Sequence, residues 1–388
     1  MAHRRLFVVS LIGFVVLLGV GIVVPILPLY AQDLGANAFQ IGMIFASFSL
    51  SKTIFTPIIG GLSDVTGRKK LIILGLGAYT VVALMYVLAI GPLTLIAVRS
   101  IHGVASAFIL PVAMSYAGLI AKQGEEGLFM GTFNMALFLG MGTGPFIGGV
   151  LTRFFGMDTA FFALSLLSLL ALVITWGMLP GSIRATSMHE TRRPQSLGIV
   201  FKSRMMKGLL VSRLINSIGR GGLLAFLPLL ATARGIDKAE VGMLISFTLF
   251  ITGILQRPFG RMVDNSNAIG MVVAGSIVGA LSFGGLPFGR GFLSFLSIAS
   301  LMGLGGAISI PAISVMAVEE GRTLGMGKTM GLLDTARSLG MIVGPVISGG
   351  VMAMMGIDSV FYTGGILIMA GVVVFLLYAR QTPWLSRP

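Results

Sequence analysis

Leu139 to Gly149 reads LGMGTGPFIGG, and 200 residues further on Leu339 to Gly349 reads LGMIVGPVISG, followed by Gly350. Seven of the eleven aligned positions are identical. Each copy lies inside a long apolar run, which places it in a membrane helix. In lipid, small residues let helix backbones approach closely, and a proline kink persists only where neighbours satisfy the freed carbonyls. A single GxxxG would mean no more than a packed kink. A long motif returning at a fixed offset predicts a bendable helix in each half of a duplicated membrane protein.

Composition agrees. Of the 388 residues, 55% are hydrophobic and 10% charged, with a mean hydropathy of +0.98. A soluble protein carries about 25% charged residues. About 20 apolar residues span a bilayer, so twelve spans with short loops nearly exhaust the chain. The spans are predicted near 6–30, 40–62, 71–90, 93–116, 128–151, 159–179, 208–231, 240–260, 268–287, 292–316, 328–351 and 358–379. The first is too long for a signal-peptide core and is expected to remain as a span.

The net charge of +14 points to topology rather than to nucleic acid. With a cytoplasmic amino terminus, seventeen of the 27 Lys and Arg fall on the cytoplasmic side. They are Arg4, Arg5, Arg68, Lys69, Lys70, Lys122, Arg184, Arg192, Arg193, Lys202, Arg204, Lys207, Arg261, Arg322, Lys328, Arg380 and Arg387. Only Arg153, Arg234, Lys238 and Arg290 fall opposite. The positive-inside rule then puts both termini in the cytoplasm. With no cysteine, disulfides and Cys-based metal sites are excluded.

The 200-residue offset runs through the whole chain. Leu27-Pro28-Leu29 matches Leu227-Pro228-Leu229, and Gly42-Met43 matches Gly242-Met243. Gly60 and Asp64 match Gly260 and Asp264; Pro111, Gly131 and Asp158 match Pro311, Gly331 and Asp358. The expected organisation is a six-helix bundle over 1–180, a basic cytoplasmic linker over 181–207, and a second bundle over 208–388. Parallel halves of this kind, with a site at their interface, are one architecture of secondary transporters.

Four stretches resemble the major facilitator superfamily, and more narrowly its twelve-span drug/proton antiporters. Gly60-Gly61-Leu62-Ser63-Asp64-Val65-Thr66-Gly67-Arg68-Lys69 is similar to the superfamily's loop signature, with Val65 in place of a basic residue. Gly60 suits close packing, Gly67 a tight reversal, and Asp64 a contact with a helix amino terminus and Arg68. The resemblance implies a cytoplasmic latch against span eleven. The second copy, Gly260 to Asp264, lacks the later Gly-Arg-Lys and is expected to latch more weakly. Leu18 to Tyr30 resembles the span-one signature of drug antiporters. Arg99-Ser100-Ile101-His102-Gly103 resembles the span-four motif, with His102 where glutamine is usual, and implies proton transfer at Arg99. Arg99 is also close enough to the outer end to snorkel, and a lone His102 is ordinarily a packing residue. Gly140, Gly144, Pro145, Gly148 and Gly149 resemble the span-five pattern of antiporters and exporters.

Six cations fall within apparent spans: Lys52, Arg99, Arg213, Arg220, Arg257 and Arg337. Charges at such depth face a cavity, pair, or neutralise. Arg213, Asn216 and Arg220 make a polar stripe on span seven and, with Lys52, are expected to line the substrate cavity. Asp334 is the leading proton-coupling residue, with Arg99 and His102 as further candidates; an ion pair with Arg337, one turn on, is the structural alternative. With no acid evident at the depth of Lys52 and Arg220, the cavity is expected to favour anionic or neutral amphiphiles.

The whole reads as an all-α membrane protein of the major facilitator fold, with twelve transmembrane helices in two pseudo-symmetric six-helix halves. The resemblance implies a proton-coupled antiporter exporting amphipathic small molecules, multidrug-efflux-like; the alternative is an exporter or flippase for an anionic amphiphile, metabolite or lipid headgroup. No His cluster, Ser–His–Asp arrangement, Walker loop or dinucleotide fingerprint favours an enzyme, and no signalling domain favours a receptor. The expected partners are the bilayer and a small amphipathic substrate, with no nucleic acid, metal or cofactor beyond the proton. A monomer in a bacterial-type plasma membrane is expected.

Overall fold

In a computed structural model, residues 2–180, 197–236 and 238–380 are described. Arg184, Arg192, Arg193 and Arg387, with most of the linker, lie outside them. The described residues form α1 (Ala2–Asp33), α2 (Ala38–Thr66), α3 (Arg68–Val87), α4 (Pro92–Ala107), α5 (Leu110–Ile120), α6 (Glu126–Phe155) and α7 (Asp158–Met178). After a short 3₁₀ turn follow α8 (Arg204–Ala233), α9 (Lys238–Val263), α10 (Ala268–Gly285), α11 (Gly291–Leu324), α12 (Met326–Met355) and α13 (Ile357–Ala379). Twelve segments are long and apolar enough to cross a membrane, α4 and α5 together making one of them, Pro92–Ile120. The fifth span is α6 and the eleventh is α12.

Local chemistry sets the helix limits. Asn37 and Gln40 close a capping box at the start of α2, and Ser203 and Asn267 cap α8 and α10. Gly67 turns the chain from α2 into α3 at φ 91°, a left-handed conformation that disfavours a side chain. Three boundaries differ from expectation. Span four breaks after Ala107, because Pro111 in the first turn of α5 has no N–H to continue the helix. Span seven starts at Arg204 rather than 208, since Ser203 accepts from the Met206 N–H at 3.1 Å. Span ten runs on to Leu324, well past 316.

The chain divides into two compact units. One comprises Met1–Lys122, Ala136–Ile199 and Gly321–Thr335; the other comprises Gln123–Met135, Val200–Glu320 and Ala336–Pro388. In the first, α3 and α1 pack on α7, and α2 packs on α4. In the second, α10 and α8 pack on α13. These are equivalent pairings of third with sixth and first with sixth spans.

The repeat seen in sequence returns as contacts. Gly140 on α6 lies against the Phe14 carbonyl of α1, and Gly340 on α12 against the Leu214 carbonyl of α8. Gly144 meets Gly21 and Leu18, while Gly344 meets Ile218 and Gly222. Gly103 abuts the Phe48 carbonyl as Gly303 abuts that of Thr248. At each glycine a Cβ would press on backbone, which explains why small residues stand there.

Candidate functional site

In the first unit, α2 and the opening turns of α12 run antiparallel along a seam of small residues. Gly60 faces the Gly327 carbonyl, and Gly331 lies against Thr56. At the seam's loop end, Asp64 accepts hydrogen bonds from the Gly327 N–H at 2.8 Å and the Lys328 N–H at 3.2 Å. An ionised side chain thereby satisfies two of the donors that every helix start leaves open. Arg68 holds the same carboxylate at 2.6 Å and also donates to the Ser115 hydroxyl at 2.7 Å. Two turns further in along α12, Asp334 meets Lys52 of α2 at 3.0 Å. Both side chains are under a tenth exposed, so this is a membrane-buried ion pair.

The second unit repeats the loop end. Asp264 accepts from the Gly127 N–H at 2.5 Å and the Leu128 N–H at 2.9 Å, at the start of α6. The cap itself needs only the aspartate and a free helix start, and both copies have it. What the shorter motif lacks is the arginine, whose position is held by Ala268. Burial pushes the Asp264 carboxyl up from the ordinary carboxylate range; its two N–H bonds pull the other way, and Glu126 and Glu125 add to the rise.

The second unit does not repeat the buried ion pair. Thr252 stands at the position matching Lys52 and bonds the Thr248 and Gly303 carbonyls at 2.8 and 3.1 Å. Asn134 stands at the position matching Asp334 and donates to the Ser314 hydroxyl at 3.3 Å. One copy is charged and the other neutral.

Arg99 turns inward and is 3% exposed, so it does not snorkel. Its guanidinium lies over Phe48 at 4.7 Å and Phe45 at 5.4 Å, with the Tyr86 hydroxyl at 3.4 Å. Tyr86 also shares a hydrogen bond with His102 Nδ1 at 2.9 Å, and the His102 ring meets Tyr79 edge-on. Sequence reading missed both tyrosines; their 3- and 7-residue spacing with the α3 core face was the only signal.

On α8, Arg213, Asn216 and Arg220 are half-buried. Asn216 donates back to the Ser212 carbonyl at 2.8 Å, which uses the amide within its own helix. Arg220 lies over Gly306 of α11. Arg257 is exposed on α9. The absence of an acid at this depth is corrected: Asp334 of α12 pairs with Lys52 of α2 and offsets its charge. Pro145 sits within α6, its ring beside Gly21; Gly148 abuts Ile22, whereas Gly149 faces open space. Among the described residues no cluster of acids and histidines is arranged to hold a metal.

Duplicated glycine seams, capped helix starts and twelve apolar helices define a polytopic transporter of the two-fold repeated class. The model for the Major Facilitator Superfamily matches residues 9–213 and 209–388. The chain belongs to that superfamily. It is 33% identical over 386 residues to an uncharacterized MFS-type transporter of Methanocaldococcus jannaschii, covering 97% of this chain and 99% of that one. Multidrug resistance protein 2 of Bacillus subtilis is 25% identical over 402 residues, covering 98% and 96%. Quinolone resistance protein NorA of Staphylococcus aureus is 26% identical over 385 residues, covering 97% and 96%. In fold, the crystal structure of the human organic anion transporter MFSD10 (TETRAN) superposes with a TM-score of 0.82 at 17% identity, covering 96% and 99%.

Proposed function

We propose that this transporter exports amphipathic small molecules across the plasma membrane in exchange for protons, by alternating access between two six-helix halves with both termini in the cytoplasm. The observation that carries the reading is the buried Lys52–Asp334 pair, a charge pair able to trade a proton at membrane depth, present in one repeat and absent from the other. Relatives named for multidrug and quinolone resistance favour efflux of amphiphiles.

In this reading Asp64 and Asp264 are conformational caps, made in one state of the cycle and broken in another. Gly140, Gly144 and Gly148 form the close-packed surface on which α6 moves against α1. Arg99 and His102 form an aromatic-lined buried cluster that holds α4 against α2 and α3. Arg213, Asn216 and Arg220 line the substrate path from α8.

The test is substrate-driven proton movement. Purified protein in vesicles of phosphatidylethanolamine and phosphatidylglycerol, loaded with a pH-sensitive dye, is given a quinolone as probe. A saturable pH change, absent from protein-free vesicles, is expected; transport of the quinolone with no pH change would remove proton coupling from the account.

A further inference from the structure

We propose that the proton exchanged by this transporter is carried by Lys52, and that Asp334 receives the cationic group of the substrate in its place. The inference rests on the antiport reading above and names its chemistry.

The geometry comes first. The Lys52 ammonium and Asp334 carboxylate are 3.0 Å apart, on α2 and α12, with both side chains nearly fully buried. Buried ion pairs add little stability over neutral packing, but leaving one partner alone is costly. The seam itself does not require charge. The equivalent positions of the second repeat carry Thr252 and Asn134, each hydrogen-bonded, while Gly260 and Gly131 keep the same close approach there. Packing therefore leaves Lys52 and Asp334 without a structural reason to be ionic.

Proton bookkeeping then ties the sign of the substrate to the direction of coupling. If a substrate cation displaces the ammonium from Asp334, Lys52 is left as a buried cation without its counter-ion. It loses a proton and becomes a neutral amine, so one cation binds and one proton leaves. Were an anion to displace Asp334 from Lys52, Asp334 would take up a proton instead, and substrate and proton would travel together. Only the first exchange is antiport.

The charged surroundings favour lysine as the group that neutralises. From α4, Arg99 sits over Phe48, one turn before Lys52, and beyond it lie His102, Tyr79 and Tyr86. Arg337 follows Asp334 by one turn of α12, while Thr56 and Gly331 beside the pair are neutral. Arginine keeps its charge at any accessible pH, whereas lysine gives up its proton when deprived of a partner. Swapping one cation for another leaves the net charge of the cluster unchanged.

The experiment measures protons released when ethidium, a permanent cation, is added to purified protein in weakly buffered detergent solution. Wild type is expected to release about one proton per ethidium bound. Lys52→Arg keeps the ion pair but cannot neutralise; it is expected to bind ethidium and release none. Lys52→Gln leaves Asp334 as the buried group without its counter-ion, so Asp334 holds a proton in its place; this variant is expected to bind ethidium and still release about one proton, now from Asp334. Folding of each variant is checked by helicity and monodispersity, and the two substitutions serve as independent readings. Proton release from Lys52→Arg equal to wild type would overturn Lys52 as the carrier while leaving antiport standing. Proton uptake on binding dodecanoate, with no response to ethidium, would overturn the substrate charge and the antiport reading together.

Discussion

Asp64 and Asp264 do the same local job at different electrostatic expense. Each accepts two N–H groups at the start of a helix, but only Asp64 has an arginine, Arg68, on the same carboxylate. Charge-assisted hydrogen bonds of this kind contribute roughly 1.5–3 kcal/mol. Asp64→Asn is therefore expected to slow transport about tenfold at equal protein amount; wild-type turnover in reconstituted vesicles would remove the cap from the cycle. Asp264→Asn should be milder. Burial raises the Asp264 carboxyl, so its ionised form is the disfavoured one in this contact. The sign follows by linkage: the raised group binds its proton more tightly here than when solvated. Its stability contribution is present at acidic pH and lost as pH rises through the raised value. The unfolding midpoint of wild type, relative to Asp264→Asn, should thus improve on acidification. An offset between the two proteins that does not change with pH would contradict this. The residue scale is also where sequence reading was least complete. Lys52 and Asp334 were each visible as buried charges, but their pairing depends on how α2 crosses α12, which no spacing along either helix encodes.

At the scale of elements, the glycine motif separates into positions with different duties. A Cβ at Gly144 would fall on Gly21 and Leu18 of α1, whereas one at Gly149 meets nothing. Overpacking a close crossing costs about 1–3 kcal/mol, more for a large side chain against backbone. Gly144→Leu is expected to reduce transport at least about tenfold, while Gly149→Ala remains near wild type. Equal transport by both variants, measured at matched folded protein, would remove the close-approach argument. Here the sequence was far more legible. The repeat at 200 residues predicted a closely packed, glycine-rich helix in each half, because such packing depends on residue size and register; the structure adds the partners, α1 for α6 and α8 for α12. The break between α4 and α5 was less so. Pro111 and Pro311 match, yet α11 continues through its proline while the fourth span does not.

At the scale of the whole molecule, hydropathy indicated twelve spans and the resemblance of four motif stretches indicated the superfamily, and both are found. Transport chemistry is less legible, because the proposed account places it in charged residues that the second repeat does not share: Lys52 against Thr252, Asp334 against Asn134, Arg99 against Ala299. Proton exchange as the driving force is the claim on which the rest depends, and an imposed gradient tests it most directly. Vesicles carrying this protein are made acidic inside, and accumulation of a quinolone is followed before and after a protonophore collapses the gradient. Antiport predicts accumulation against the concentration gradient that disappears with the protonophore. Equal accumulation with and without the gradient would contradict it.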